Sequence, residues 1–285
     1  MLSVGSNSGL IIMKVIVGVI SGSVSIISEA IHSSMDLLAS LIALFSVKTS
    51  DDPPDREHPY GHGKVENVSG VIEAILILVA SGLIVSEAIK KMLHPQAIEG
   101  IGLGFAVMFV SSLINFLVSR RLYKVAKLEN SVALEADALH LKADVITSLG
   151  VGLGLLAIWI PDALFGIKLY FLDPVVAIAV AIFITWEAVG MLRRAFAPLV
   201  DASLPPEEMT IIAGAVSLHR PEGPAFHQLR TRSAGKQRHI DFHLTLPATM
   251  TVAESHAICD RIEREIESLL PHTVVLIHVE PEGHA

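Results

Sequence analysis

The sequence predicts an all-α bundle of six transmembrane helices followed by a smaller cytoplasmic α+β domain. Three observations support this prediction. The chain has 285 residues, of which only 18% are charged, and its mean hydropathy is +0.59. Six windows are long and apolar enough to cross a bilayer. After Met191 the composition turns polar and strand-like alternation begins. These values exclude a disordered chain and disfavour an ordinary soluble enzyme.

The six windows are each close to the length of about 20 apolar residues that a spanning helix needs. The first two run together through the turn Ser21-Gly22-Ser23, so we expect the second helix to begin near Val24. We expect a transmembrane domain over residues 1–196. The windows are Gly9–Ile27, Ile31–Ser46, Val68–Ile89, Ile101–Val118, Val132–Ile160 and Phe171–Met191.

Lysine and arginine in the connections between these windows predict the orientation of the bundle. With the N-terminus inside, the external connections contain only Lys90, Lys91 and Lys168. The cytoplasmic connections contain Lys48, Arg56, Lys64, Arg120, Arg121, Lys124, Lys127, Arg193 and Arg194. We therefore expect both termini in the cytoplasm. As a separate expectation, which these charges do not decide, the protein lies in the inner (plasma) membrane of a bacterium.

Residues 197–285 are predicted to form the cytoplasmic domain. Pro206, followed by Glu207 and Glu208, is typical of a helix start. The stretch Asp241–Leu246 alternates polar and apolar residues, as a half-buried strand does. The predicted elements are a helix over 206–218, strands over 225–232 and 238–246 with a turn at 233–235, a helix over 252–270 and a strand over 273–280.

Charge and histidine content narrow the range of functions that the chain could have. The net charge is −8 and the pI is about 5.9, so we expect no nucleic-acid partner. A single cysteine excludes an intrachain disulfide and a cysteine-cluster zinc site. The 13 histidines are unusual in so apolar a chain and point to metal. No phosphate loop, His-Glu-x-x-His or Gly-x-Ser-x-Gly motif occurs, so we expect neither an ATP-driven pump nor an enzyme, and no organic cofactor.

A histidine–aspartate pair recurs on the second and fifth predicted spans. His32 and Asp36 are four residues apart, as are His140 and Asp144, so each pair shares one helix face. Two imidazoles and two carboxylates are the tetrahedral N/O set that Zn²⁺ takes, and the two carboxylates cancel its charge. We name these four residues the membrane cluster and predict that they hold a metal ion.

The alternative for the membrane cluster is a pair of interhelical hydrogen bonds without metal. Ionisable groups in a spanning helix cost about 2.5–3.5 kcal/mol or more, so a duplicated pair favours the metal. Glu29 and Asp137 lie three residues earlier on roughly the same faces. They are predicted to be outer hydrogen-bond acceptors, proton relays or solvated acids lining a cavity.

Two further groups carry metal-ligand residue types. Asp55, His58 and His62, named here the loop cluster, lie three and four residues apart in a Gly/Pro-bearing connection. The alternative is a polar loop with incidental histidines. In the cytoplasmic domain, ligand residues fall on all three predicted strands and on one helix, and strand histidines are often only half-exposed polar positions. This sheet cluster comprises His227, His243, His256, His278 and Glu280.

Several of these motifs occur together in one known family. The paired His-x-x-x-Asp motifs, the loop His58-Pro59-Tyr60-Gly61-His62-Gly63-Lys64-Val65-Glu66, and the segment Leu229-Arg230-Thr231-Arg232 after a histidine resemble the cation diffusion facilitator family. The likeness covers nearly the whole chain and keeps the order of the motifs.

The resemblance implies a homodimeric transporter that exports divalent transition metals in exchange for protons. It implies that the membrane cluster is the transport site, that the loop cluster binds metal, and that the sheet cluster is a binuclear site in a metallochaperone-like (ferredoxin-like) domain. It also implies a salt bridge between Lys64 and Asp201 where the two domains meet. Two histidines with two aspartates resemble the zinc-preferring pattern, whereas Glu280 replaces an aspartate of a related zinc exporter.

Three functional hypotheses follow from the residues and the resemblance. The first is proton-coupled Zn²⁺ export by alternating access. The second keeps the transporter class but changes the ion to Co²⁺, Ni²⁺, Cd²⁺ or Fe²⁺, since all of these accept N/O ligands. The third is a membrane metal sensor without net transport, against which the ligands inside two spans argue.

Overall fold

The computed structural model describes residues 2–50, 52–94, 98–129, 132–219 and 226–282. Within these ranges it describes the side chains other than those of residues 2–7, 39–40, 43–44, 47, 126–129, 132–137, 139–140, 143 and 219.

Six helices cover the six predicted windows. The second begins at Val24, as expected, because Gly22 adopts a φ of 63° and ends the first helix. Every one of these helices is longer than its predicted window, and the first also begins and ends earlier in the chain than its window. They are α1 (Leu2–Ser21), α2 (Val24–Ser50), α3 (Lys64–Leu93), α4 (Ile101–Glu129), α5 (Val132–Phe165) and α6 (Leu172–Phe196).

Four of the described helices are long and apolar enough to cross a membrane. Three of these spans lie within α3, α4 and α5. The fourth, Leu172–Val200, contains α6 and the short turn that follows it. Helix α1 contributes a shorter apolar stretch, Ser8–Ser21. Helix α2 carries Glu29, His32 and Asp36 in its first half, which lowers its apolar content. The chain therefore has a transmembrane helical region, and the count of six spans stays a prediction.

Backbone proximity divides the chain into two compact units. The first unit contains residues 1–42 and 73–190, and the second contains residues 43–72 and 191–285. The end of α2, the loop that follows it and the start of α3 thus belong with the C-terminal residues. In the first unit α4 and α5 pack along their length, joined by hydrogen bonds from Ser119 Oγ to Ala138 O (2.6 Å) and from Ser112 Oγ to Val145 O (3.2 Å).

The C-terminal region has the predicted order αββαβ. Strands β1 and β2 are antiparallel, β2 and β3 are parallel, and the sheet order is β1-β2-β3. The turn lies later than predicted, at Gly235 and Lys236, because β1 continues through Ala234. The elements are α7 (Pro206–His219), β1 (Phe226–Ala234), β2 (Gln237–Leu246), α8 (Val252–Leu269) and β3 (Thr273–Pro281).

Strand β2 shows how the sheet separates the hydrophobic core from the predicted metal ligands. Its even-numbered residues Ile240, Phe242 and Leu244 are buried in a core with α7 and α8. Because side chains alternate along a strand, the odd-numbered residues, including His243, lie on the opposite face. A capping box between Thr251 and Glu254 starts α8, which packs its apolar stripe on the even face. The helix-free face is therefore left for polar side chains.

Candidate metal centres

The membrane cluster is assembled from α2 and α5. His32 and Asp36 lie one turn apart on α2, and Asp144 of α5 lies beside them; all three are buried. One potential ligand atom from each lies within 4.8 Å of the others. His32 Nδ1 is 3.8 Å from Asp36 Oδ2, and His32 Nε2 is 4.0 Å from Asp144 Oδ1. The spacing predicted from the sequence thus brings three of the four residues together.

These separations are longer than direct hydrogen bonds, and they start from opposite nitrogens of the His32 ring, of which only one can bind a given ion. Donor–acceptor distances in hydrogen bonds rarely exceed about 3.2 Å. Ligand atoms around a tetrahedral zinc, with bonds of about 2.0–2.1 Å, lie about 3.4 Å apart. With one ligand atom taken from each residue, the separations are within 4.8 Å, so the atoms would have to approach one another by up to about 1.4 Å to reach that value. The side chains of His140 and Asp137, both predicted at this site, lie outside the described residues.

The loop cluster is organised by one carboxylate. Asp55 Oδ1 accepts hydrogen bonds from the backbone N–H groups of Glu57 (2.8 Å) and His58 (2.6 Å), which shapes the turn. The His58 N–H does most to hold the Asp55 pKa below its usual range. His62 Nε2 lies 3.5 Å from Asp55 Oδ2, and the His58 and His62 ring centroids are 4.4 Å apart. The structure brings all three predicted residues together at an exposed position.

Strand register builds the sheet cluster. His227 of β1 pairs directly with His243 of β2, which pairs directly with His278 of β3. A β-bulge follows His227, where Gln228 adopts a φ of 51°, and such bulges re-aim neighbouring side chains. Glu280 lies two residues beyond His278 and on the same strand face.

Glu280 is the centre of this cluster. Its Oε1 is 2.7 Å from His243 Nδ1 and 3.6 Å from His278 Nε2, and its Oε2 is 3.2 Å from His227 Nε2. His256 is not brought to this group within the chain: it is exposed on α8, with Nε2 3.6 Å from Asp260 Oδ1. A glutamate thus reaches three histidines, and four of the five predicted residues lie together.

An exposed ion pair joins the start of α3 to the segment before α7. Lys64 Nζ donates to Asp201 Oδ1 at 2.9 Å, and Arg232 Nη1 lies 3.7 Å from the same oxygen. The hydrogen bond from Lys64 is the main reason that the Asp201 pKa is below its usual range. Asp201 takes a left-handed conformation, φ 55°, after the 3₁₀ turn Ala197–Val200. The predicted partners are adjacent, and both belong to the second compact unit.

Comparison with known proteins identifies the family. Residues 1–200 match the family model described as "Cation efflux transmembrane domain", and residues 204–282 match "Cation efflux protein, cytoplasmic domain". The chain belongs to the cation efflux family. Members of this family are transporters rather than enzymes, so the chain is a membrane transporter that exports metal cations.

Several cation efflux relatives align over nearly the whole chain. The "Uncharacterized transporter sll1263" of Synechocystis sp. is 33% identical over 98% of this chain and 88% of its own. The "Cation-efflux pump FieF" of Klebsiella pneumoniae is 30% identical over 97% of this chain and 89% of its own. A solved structure of the zinc form of CzrB, a candidate zinc transporter, is 37% identical over 29% of this chain and 94% of that one, with a TM-score of 0.28.

A buried ion pair beside the membrane cluster was not predicted. Lys14 of α1 donates from Nζ to Glu29 Oε1 (3.1 Å), Ser33 Oγ (3.0 Å) and Ser148 Oγ (3.2 Å). Thr147 and Ser148 of α5 also donate to Glu29 Oε1, at 3.1 and 2.5 Å. Only 1% of the Lys14 side chain and 0% of that of Glu29 is exposed. The one signal in the sequence is a lysine inside an apolar run.

A second buried ion pair, between Asp173 and Lys91, holds the start of α2. Asp173 of α6 accepts from the backbone N–H of Val24 (2.8 Å) and from the hydroxyls of Ser23 (2.6 Å) and Ser25 (2.5 Å). Lys91 of α3 donates to the same carboxylate at 3.0 Å. A carboxylate at a helix N-terminus satisfies its unpaired N–H groups and is favoured by the helix dipole. Three helices of the cation efflux bundle are therefore tied together at this end.

Proposed function

We propose that this chain exports Zn²⁺ from the cytoplasm in exchange for protons, by alternating access. The observation that supports this most strongly is the burial of His32, Asp36 and Asp144 around one point between two helices of a cation efflux protein. Zinc takes tetrahedral nitrogen and oxygen ligands. Two carboxylates make the filled site neutral, which suits a low-dielectric position.

His140 is the fourth ligand in this proposal. It lies four residues before Asp144 on α5, as His32 lies four residues before Asp36 on α2. The two pairs would then contribute alike to a charge-neutral, four-coordinate site. A closed set of four ligands also fits a carried ion better than a catalytic zinc, which keeps a position open for water.

Proton exchange follows from the ligand types. A histidine binds metal only when its imidazole is neutral, and an aspartate only when it is ionised, so metal and protons compete for the same groups. If the site opens in turn to each side of the membrane, zinc loads from the cytoplasm and protons return in its place. Ligands on two separate helices allow that opening, because the helices can move relative to each other.

The cytoplasmic domain is proposed to bind metal for a structural or regulatory purpose. His227, His243, His278 and Glu280 provide a preformed set on its sheet, and we propose that zinc there helps hold two protomers of a homodimer together. We further propose six membrane spans with both termini in the cytoplasm, in the bacterial plasma membrane. In this arrangement the Lys64–Asp201 pair lies at the junction between the two domains.

Ion identity is the part of this proposal that ligand chemistry constrains least. Affinities for Co²⁺, Ni²⁺, Cd²⁺ and Fe²⁺ depend on geometry and availability as well as on donor type. The proposal commits to zinc because the two-histidine, two-aspartate set matches its preferred coordination.

The test is metal flux in proteoliposomes with a pH gradient of either sign. Purified full-length protein is reconstituted, and uptake of each of the five ions is followed together with the lumenal pH. We expect zinc to move fastest, to reverse direction with the pH gradient, and to be accompanied by opposite proton movement. Saturable zinc binding without flux would instead support a sensor, and zinc flux independent of the pH gradient would contradict proton exchange.

A further inference from the structure

Five buried side chains of α1, α2 and α5 form one hydrogen-bonded network beside the membrane cluster. The Lys14 ammonium has three N–H donors and three acceptors within reach: Glu29 Oε1 at 3.1 Å, Ser33 Oγ at 3.0 Å and Ser148 Oγ at 3.2 Å. Glu29 Oε1 also accepts from the hydroxyls of Thr147 (3.1 Å) and Ser148 (2.5 Å). We name these five residues the clasp, because they join α2 to α5.

The clasp lies one helical turn from the ligands of the membrane cluster. On α2, Glu29 is three residues before His32, and on α5, Thr147 is three residues after Asp144. Three residues rise about 4.5 Å along a helix. His32 Nε2 and Asp144 Oδ1 lie 4.0 Å apart across the same two helices. The two helices therefore face each other at two adjacent levels, and the clasp sets their spacing at one of them.

The ligand atoms need this spacing to be small. One atom from each of His32, Asp36 and Asp144 lies within 4.8 Å of the others, whereas ligand atoms around a tetrahedral zinc lie about 3.4 Å apart. A small ion requires α2 and α5 to be held close together. A larger ion such as Cd²⁺ tolerates a wider set of ligands. Because geometry decides much of the selectivity among these metals, a loss of close spacing should cost zinc more than cadmium.

The charges of the clasp favour a role in geometry over one in stability. Only 1% of the Lys14 side chain and 0% of that of Glu29 is exposed. A buried ion pair often stabilises a fold no better than apolar side chains of similar volume, because desolvation offsets the attraction. What such a pair can do is favour the one arrangement in which both partners meet. Here that arrangement includes the α5 hydroxyls next to Asp144.

We propose that the clasp fixes the spacing of α2 and α5 and thereby makes the transport site prefer Zn²⁺ to larger divalent ions. Glu29, Thr147 and Ser148 are positioning residues in this account, since they act through His32 and Asp144 and do not touch the ion. The inference rests on the proposed transport of zinc through the membrane cluster, and it adds a physical origin for the selectivity of that site.

The test is the double variant T147V/S148A, which removes both α5 hydroxyls that hold Glu29 and leaves the Lys14–Glu29 ion pair in place. Flux of zinc and of cadmium is measured with the full-length protein in proteoliposomes. We expect the KM for zinc to rise about tenfold, as for other losses of groups that orient metal ligands, and the KM for cadmium to change less than about threefold. Poor folding alone would lower Vmax for both ions and leave the ratio of the two KM values unchanged. T147S keeps both hydroxyls and should retain the wild-type ratio.

The matched control is S112A/S119A, which removes two hydroxyl–carbonyl hydrogen bonds between α4 and α5. Its ratio of KM values should stay within about twofold of wild type, because these bonds do not involve α2. An unchanged ratio in T147V/S148A, or an equal change in the control, would overturn the role of the clasp while wild-type zinc flux still supported the proposed function. A wild type that moves no zinc would defeat the proposed function and this inference with it.

Discussion

The membrane cluster and the sheet cluster use the same donor types in opposite surroundings. In the bundle, the described ligands His32 and Asp144 are 7% and 0% exposed and 4.0 Å apart. On the sheet, His227 is 34% exposed, and Glu280 already lies 2.7 Å from His243. The first set is buried and its members stand apart, whereas the second is half-exposed and already in contact.

The supporting elements explain the difference. The sheet ligands lie on three strands whose register is fixed by backbone hydrogen bonds, so their spacing is set before metal arrives. The membrane ligands lie on two helices that side chains join where the structure describes them, and their spacing changes if the helices move. We infer that the sheet cluster is built to retain metal and the membrane cluster to gain and release it.

The largest expected effect comes from breaking the membrane cluster at Asp144, the most buried of its three described ligands. D144N removes one ligand and one of the two charges that neutralise the ion. Loss of a partner from a buried charged group costs about 3 kcal/mol or more, which is about 150-fold in affinity. We expect zinc flux in proteoliposomes to fall by at least about 100-fold.

The matched control for this variant is D162N. Asp162 lies on the same helix, 18 residues or about 27 Å further along it. Its flux should stay within about twofold of wild type. Substantial zinc flux through D144N would remove Asp144 from the transport site.

The next prediction concerns stability rather than transport, and breaks the buried ion pair beside the membrane cluster. K14M leaves the Glu29 carboxylate buried without its cation and should lower the free energy of unfolding by about 3–5 kcal/mol. K14M/E29Q should recover most of that loss, because no buried charge remains. Thermal denaturation in detergent measures both.

An exposed lysine–glutamate pair provides the comparison for Lys14. Lys90 Nζ lies 3.3 Å from Glu87 Oε2, and both side chains are mostly exposed. K90M should therefore change the melting temperature little. The buried-pair interpretation fails if K14M and K14M/E29Q melt at the same temperature.

Breaking the sheet cluster should change metal content more than transport. H243A removes the central histidine of the row, so zinc retained per full-length chain after desalting should fall, by elemental analysis. Flux should fall less than about tenfold, because the transport ligands are unchanged. H272N is the control: His272 is exposed and has a φ of 61°, which asparagine tolerates. Unchanged zinc content in H243A would contradict the assignment.

The smallest predicted effect concerns the ion pair between the central strand β2 and α7. Arg238 of β2 donates from Nε and Nη2 to the two oxygens of Glu208 in α7, at 2.9 and 2.8 Å. These hydrogen bonds lower the Glu208 pKa, against the opposing effect of burial. A lowered folded-state pKa contributes stability above the ordinary glutamate pKa, and that stability is lost as pH falls through the folded value.

We therefore expect E208Q to be less stable than wild type by about 0.5–1 kcal/mol at neutral pH, with the difference shrinking as pH falls below the ordinary glutamate pKa and vanishing below the lowered folded-state pKa. Paired thermal melts of the full chain at several pH values measure this. A gap that widens on acidification would contradict the assigned role of Glu208.

Local spacing made much of the site predictable. His32 and Asp36 share a face because they are four apart on one helix, and the alternation in β2 predicted the half-buried position of His243. Cys259 is a buried helix residue, as its position in an amphipathic helix suggests. Each of these depends on residues close together in the chain.

Contacts distant in sequence were missed. The Lys14–Glu29 pair and the Asp173 cap at Val24 need the packing of separate helices, which periodicity does not specify. His239, which resembles an ordinary surface residue in the sequence, is buried instead. Its ring lies edge-on to Tyr60 of the loop, and burial lowers its pKa.

Anomalous diffraction at the zinc edge, from crystals of the zinc-loaded full-length chain, tests the central claim most directly. The account predicts a peak between α2 and α5 within about 2.0–2.2 Å of His32, His140 and carboxylate oxygens of Asp36 and Asp144. Peaks confined to the loop and the sheet, with none between these helices in any crystallised state, would contradict it.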